Sequence, residues 1–250
     1  MIPGLGGKLP RSLIDLLWRD HPEAPTGGTR GPRARVSTGD VVDAAIRLAD
    51  AHGLPAVTIR RLAEALEVST MSIYTHVNSR DDLLVLMADA THGRMERSRF
   101  GRLGWRGRVQ RVAESNLALL QAHPWLHEID DDRTALGPGT IAKYDHELAA
   151  LAPLDLAPVT CDAALTFLLD FVRASARALR PNPRSGELAQ HWPEWSLRLE
   201  TYLGEDFPLA RTVGAAAGAA MGAAHSPSMA WDFGLARVLD ALAALAPPRA

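Results

Sequence analysis

The sequence contains one cysteine, Cys161, among 250 residues. No disulfide can form within the chain, so a reducing, cytoplasmic setting is expected. A lone small thiol of this kind is read as a core residue. Long hydrophobic runs are missing as well. Near the N-terminus, Lys8, Arg11, Asp15 and Arg19 interrupt Leu13-Ile14 and Leu16-Leu17-Trp18, which excludes the continuous apolar stretch of a secretory signal. The least polar run, residues 214–224, is eleven residues of Ala, Gly and Met and is too short to span a bilayer. No membrane partner is therefore expected. Excess charge is lacking too, since 27 basic residues face 29 acidic ones for a net charge of −2.

The signatures of catalysis are also absent. There is no G-x-S-x-G elbow, no glycine loop ending in Lys-Ser/Thr, and no Cys–His pair in a recognisable context. Gly4 to Lys8 has glycines and a lysine but no preceding strand, and is read as a loose terminus. His123 and His127 stand four apart, a spacing that chelates metal on a helix. Pro124 interrupts a regular helix there and the H-E-x-x-H order is missing, so no metal and no cofactor are assigned. An enzyme is not expected.

What is present is an ordinary globular composition, 47% hydrophobic and 22% charged. No convincing period-2 run of β-branched residues occurs, whereas helical periodicity holds from Thr38 almost to the end, so the fold class is all-α. Residues 1–36, rich in Gly, Pro and Arg with at most a short helix near Arg11–Trp18, are read as a flexible basic arm. Its Arg30, Arg33 and Arg35 have no acidic residue among positions 24–39, which suits a segment that follows phosphates. Residues 37–85 and 86–250 then form two helical domains. The first 80 residues carry ten basic side chains against eight acidic ones, a small bias in the same direction.

Within 37–85 the pattern predicts a helix from Gly39 to His52, stopped by Gly53. A second follows the N-cap Thr58 and places Ile59, Leu62, Ala63 and Leu66 on one face. After a break at residues 67–69, a short helix from Thr70 to His76 has Ile73, with Met71 a weaker candidate, directed to the core, leaving a polar outer face. Ser79 and Asp82 then make an S-x-x-D start for a fourth helix reaching about Arg97.

The run Asp43-Ala44-Ala45, Leu48-Ala49, Gly53-Leu54, Thr58 to Ala63, Val68-Ser69, Ile73 to Val77 and Arg80 to Leu84 resembles the DNA-binding domain of the tetracycline-repressor (TetR) family. The resemblance implies a three-helix helix-turn-helix domain. Glu67 stands where the family usually has glycine, so the turn either avoids a positive φ or strains Glu67, and Arg80 replaces a usual lysine. From groove geometry, Thr70, Met71, Ser72 and Thr75 are assigned to base contacts. Arg60 matches a family position that reaches a base, and Thr58, Tyr74, His76 and Arg80 suit phosphates, with Arg61 a further candidate. The implied partners are double-stranded operator DNA and a second copy of the chain, because one such unit binds weakly. The implied activity is transcriptional repression relieved by a small molecule; a helical interaction protein or an enzyme that keeps the fold without binding DNA is the alternative.

Beyond residue 100, helices are expected at about 105–122, 139–152, 159–179, 187–203 and 228–246, with 214–224 open between helix and loop. Trp105, Leu119-Leu120, Leu136-Gly137-Pro138 and Phe233-Gly234-Leu235 more loosely resemble the tetracycline-repressor-like C-terminal domain. That implies a helical ligand-binding and dimerisation domain whose effector is a small molecule of unknown identity. Two helices, Ala163–Leu179 and Trp231–Leu245, look like the dimerisation pair, the latter through Phe233, Leu235, Val238, Leu239 and Leu242. Polar residues embedded in apolar helices, Asn116, His123, His127, Tyr144, Asp170 and Arg173, are the ligand candidates, with Trp125, Phe167, Trp192 and Trp195 as walls. Asp170 and Arg173, three apart, equally suit an ion pair with each other.

Overall fold

A computed structural model describes residues 11–25, 36–97 and 99–246. Its regular structure is helical, and no strand occurs among the described residues. Helix starts follow local chemistry. Ser37 caps α2 (Thr38–His52) in a reciprocal box with Asp40, satisfying amides that the first turn leaves without partners. Thr58, Ser69 and Ser79 accept from the third residue on and open α3 (Ile59–Ala65), α4 (Thr70–Tyr74) and α5 (Arg80–Arg94). At α5 only half of the expected box forms, because the Asp82 carboxylate instead receives Asn78 and Arg133.

The turn between α3 and α4 resolves the question posed by Glu67. The Val68 amide donates to the Ala63 carbonyl at 3.0 Å and the Glu67 amide to Glu64 at 3.3 Å. This paired closure needs a left-handed residue after the C-cap, and Glu67 occupies it at φ 53°. The positive φ is not avoided.

The arm expected at 1–36 is only partly tested. Its Arg30, Arg33 and Arg35 lie outside the described residues. Residues 11–25 are not an arm, however: α1 (Leu13–Leu17) buries Leu16 and Leu17 in the first core, and Trp18 Nε1 donates to the Leu136 carbonyl at 2.8 Å. Composition misled there because two buried leucines, each contributing about 1.5–3 kcal/mol, are enough to dock one helical turn within a segment otherwise rich in Gly, Pro and Arg.

Six further helices follow: α6 (Trp105–Ala122), α7 (Pro138–Leu151), α8 (Pro158–Ala178), α9 (Pro183–Leu203), α10 (Pro208–Met221) and α11 (Pro227–Ala243). The ambiguous 214–224 segment is mostly the end of α10. Two cores result. One gathers α1 to α5, and the other gathers α6, α7, α8 and α11. No break separates them at residue 85, since α5 runs through that position, and Trp125 and Leu126 from a short 3-10 turn (Pro124–Glu128) sit in the first core.

The α5–α7 crossing is the tightest joint. A side chain at Gly137 would strike the Asp89 carboxylate, and one at Gly139 would strike the Asp89 carbonyl and the backbone of Gly93. With glycine there, the Asp89 carboxylate on α5 caps α7, accepting from the Thr140 amide at 2.8 Å. Burial raises the Asp89 pKa, while the hydrogen bonds from Thr140 and Gly139 oppose that rise. No single helix is long and apolar enough to cross a membrane among the described residues.

Candidate nucleic-acid interface and effector region

Helix α4 is one residue-pair shorter than the expected Thr70–His76, ending at Tyr74 with Thr75 as its C-cap. A single side chain, Ile73, holds it to the core with no exposed surface. Met71 is not core-directed: it is 72% exposed and Tyr74 51%, because α4 touches the domain along one line only. Thr70, Met71, Tyr74 and Thr75 are exposed, with Ser72 half-buried. The Thr75 hydroxyl donates to the Ser72 carbonyl at 2.7 Å, which leaves its lone pairs and methyl outward.

The flanking candidates divide into free and engaged groups. Arg60 and Arg61 are exposed on α3, and Arg60 Nε pairs with Glu64 at 2.9 Å, a bond that phosphate or a base can replace at small cost in water. Thr58 is committed through its side chain to the Arg61 amide at 3.2 Å. His76 Nδ1 meets the Thr38 hydroxyl at 3.3 Å, so it packs on the start of α2. Burial lowers the His76 pKa, against the opposing pull of Asp40; the ring is a neutral donor or acceptor rather than a cation at neutral pH. Arg80 has a task the sequence did not suggest: its Nε and Nη2 donate to the carbonyls of Val57 and Leu54, both at 3.1 Å. Its fork therefore ties α5 to the turn ahead of α3 and leaves the Nη1 edge outward.

The ligand candidates do not converge on one pocket. Asn116 is buried on α6 and bonds the Val112 carbonyl and Glu147 Oε1. Glu147, 2% exposed, also receives Lys143 Nζ at 2.9 Å. Lys143 and Glu147 were missed, although Lys and Glu four apart on an apolar helix was the available signal. Beside them His92 on α5 meets the Thr140 hydroxyl at 2.9 Å. Burial first, then the charges of Lys143 and Arg173, push its pKa down to about 3. A neutral, half-buried imidazole and a buried ion pair thus line the joint of α5, α6 and α7.

His123 and Trp125 belong to a different place. Trp125 is buried in the first core, and its Nε1 donates to Asp50 of α2 at 2.6 Å; His123 Nδ1 meets the same oxygen at 2.7 Å. Arg133 bridges Asp131 and Asp82. Residues 123–140 therefore tie the C-terminal helices to α2, α5 and, through Trp18, α1. His127 is 9% exposed with no partner on either ring nitrogen. Among the described residues no three His, Cys, Asp or Glu side chains are grouped to hold a metal.

The remaining candidates are peripheral. Tyr144 is exposed and donates to Asp162 at 2.7 Å, and Phe167, Asp170 and Arg173 lie on the outward side of α8. No ion pair joins Asp170 to Arg173. Trp192 lines a groove of about 470 Å³ between α9 and α10, whereas Trp195 stacks on His191 and lines another face. The α11 stripe also divides: Leu235, Val238, Leu239 and Leu242 are buried within their own chain, and only Phe233 of that set is exposed. Helical period shows that a face is apolar, but not whether its partner is the same chain.

This architecture has known counterparts. An HTH-type transcriptional repressor, DrrR1 of Streptomyces coeruleorubidus, is 34% identical over 173 residues, which are 69% of this chain and 62% of that protein's own length. Apo ActR of Streptomyces coelicolor superposes with a TM-score of 0.69 at 26% identity, covering 86% of this chain and 98% of that one. ActR solved in complex with actinorhodin gives 0.70, also at 26% identity, covering 87% of this chain and 100% of that one. Residues 41–87 match the bacterial regulatory proteins of the tetR family, and residues 100–246 match the tetracyclin repressor-like C-terminal domain. With a capped helix-turn-helix at one end, a helical domain at the other and both halves matched in order, the chain belongs to the tetR family of bacterial regulatory proteins.

Proposed function

We propose that the protein is a transcriptional repressor that binds duplex operator DNA as a homodimer in the cytoplasm and is released by a small-molecule effector. The observation that carries this reading is α4: a helix held by Ile73 alone, with Thr70, Met71, Tyr74 and Thr75 turned outward. A helix with that much free surface fits the major groove, its first residues against base edges. Thr70, Met71, Ser72, Thr75 and Arg60 take the base-reading roles, Met71 against a thymine methyl. Thr58, Arg61, Tyr74, His76 and the Nη1 edge of Arg80 take phosphates, which position rather than specify.

Two protomers are needed for a stable, specific grip. The outward faces of α8 and α11 suit that pairing, since Val159, Phe167, Met229 and Phe233 are apolar and half or more exposed. ActR has been solved with actinorhodin, which supports an effector site in the C-terminal helices here. The polar joint of His92, Asn116, Lys143 and Glu147 is its proposed location once α5, α6 and α7 part, since the cavity beside Glu147 holds about 10 Å³ with the helices closed; residues 123–140 are the link by which its occupancy reaches α2 and α5. An effector acts only through unequal affinity for the two arrangements.

Selection from random duplexes with the full chain tests the reading. A two-fold symmetric sequence whose half-sites lie about one helical turn apart or a multiple of it is expected. A folded dimer that enriches no sequence would favour an interaction protein that has kept the fold without reading DNA.

A further inference from the structure

A cleft of about 480 Å³ opens where the end of α8, the start of α9 and the start of α11 meet, and its lining includes no residue of α4 or of the polar joint. Its walls are in part apolar, with Pro181, Leu188, Ala189 and Ala223 among them. Its charged side chains are of one sign. Arg177 and Arg180 lie on its lining with Asn182, Ser185 and His225, and no acidic residue does. Arg177 donates to the His127 carbonyl at 3.2 Å, and neither arginine has an acidic partner among the described residues. The groove between α9 and α10 offers the contrast, since its Arg211 is neutralised by Glu205 at 2.8 Å. Two guanidiniums left uncompensated beside apolar walls form an anion site with an apolar extension. His127 lies within reach of the same field: burial lowers its pKa first, then Arg177, Arg180 and Arg173.

We propose that this cleft binds an amphipathic organic anion, a carboxylate or phosphate on a compact apolar body, with Arg180 and the free edge of Arg177 gripping the anionic group. Planar donors of this kind suit both headgroups in a bidentate mode. The site is distinct from the polar joint, and its test uses no DNA, so it stands or falls separately from operator reading.

Calorimetric titration of the 250-residue chain with 1-naphthoate, 1-naphthyl phosphate and the neutral 1-naphthalenemethanol provides the measurement. Both anions are expected to saturate at one per protomer, and the alcohol to bind at least tenfold more weakly; whichever anion is preferred identifies the headgroup. Arg180→Gln, which removes a side chain with no other partner among the described residues, is expected to weaken the anions about tenfold without moving the melting temperature, and Arg180→Lys to recover part of the loss. Equal binding of alcohol and anions, no binding of any probe, or an Arg180→Gln variant with unchanged anion affinity would overturn the proposal.

Discussion

Replacing Glu67 with Gly and, separately, with Ala isolates what the left-handed turn between α3 and α4 costs. Glu67 sits at φ 53°, where a side chain bearing Cβ crowds the following carbonyl by about 1–2 kcal/mol. Glycine relieves that crowding but loses about 0.4–1 kcal/mol through its looser unfolded chain. The Gly variant is therefore expected to exceed the Ala variant by about 1 kcal/mol. Both lack the Glu67 carboxylate, so any interaction it makes cancels in the comparison. For a chain of this size 1 kcal/mol moves the melting temperature by about 2–4 °C. Thermal unfolding followed by circular dichroism, at one protein concentration and without ligand, reads the difference. An Ala variant more stable than the Gly variant would refute the claim that the turn imposes a left-handed residue. The paired closure through Val68 and Ala63 would then be the wrong description of this turn.

Arg80→Lys keeps the charge but loses one of two bonds to Val57 and Leu54; urea unfolding is expected to show a loss of about 1 kcal/mol, and an unchanged midpoint would show that the fork has no structural role. His92, held near 3 when folded, takes up a proton near its ordinary 6.5 when unfolded. Its contribution is complete above pH 6.5 and is lost as pH falls from there towards 3, by up to ~1.4 kcal/mol per pH unit. His92→Gln is expected to flatten the stability profile over that window, and identical slopes for both proteins would count against the neutral ring at this joint. Thr75→Ala is expected to change preference at one base pair by about 1–3 kcal/mol; equal weakening on every duplex would instead assign Thr75 to the phosphates.

The parts that were legible in the sequence are those written by local chemistry. Thr58 and Ser79 start their helices because each cap is closed within three residues, and Ile73 was readable as an anchor of α4, although Met71, offered beside it as a weaker one, turns outward. What was not legible depends on partners distant in sequence. Nothing around Asp89 announces that it caps α7, since the acceptor and the Thr140 amide are 51 residues apart. Trp125 read as a pocket wall, yet Asp50 draws it into the first core. Leu235 to Leu242 read as a dimer stripe, but α6 and α8 of the same chain take that face. Glu67 lies between these cases: the sequence posed its two alternatives, and only the backbone chose between them.

The central claim, that α4 reads a specific operator, is tested most directly by one comparison. Fluorescence anisotropy at 150 mM salt would measure affinity for the selected symmetric duplex and for a scrambled duplex of the same composition. A preference of about a thousandfold or more for the selected site is expected of specific recognition. Equal affinity for the two duplexes, from a folded dimer, would contradict it.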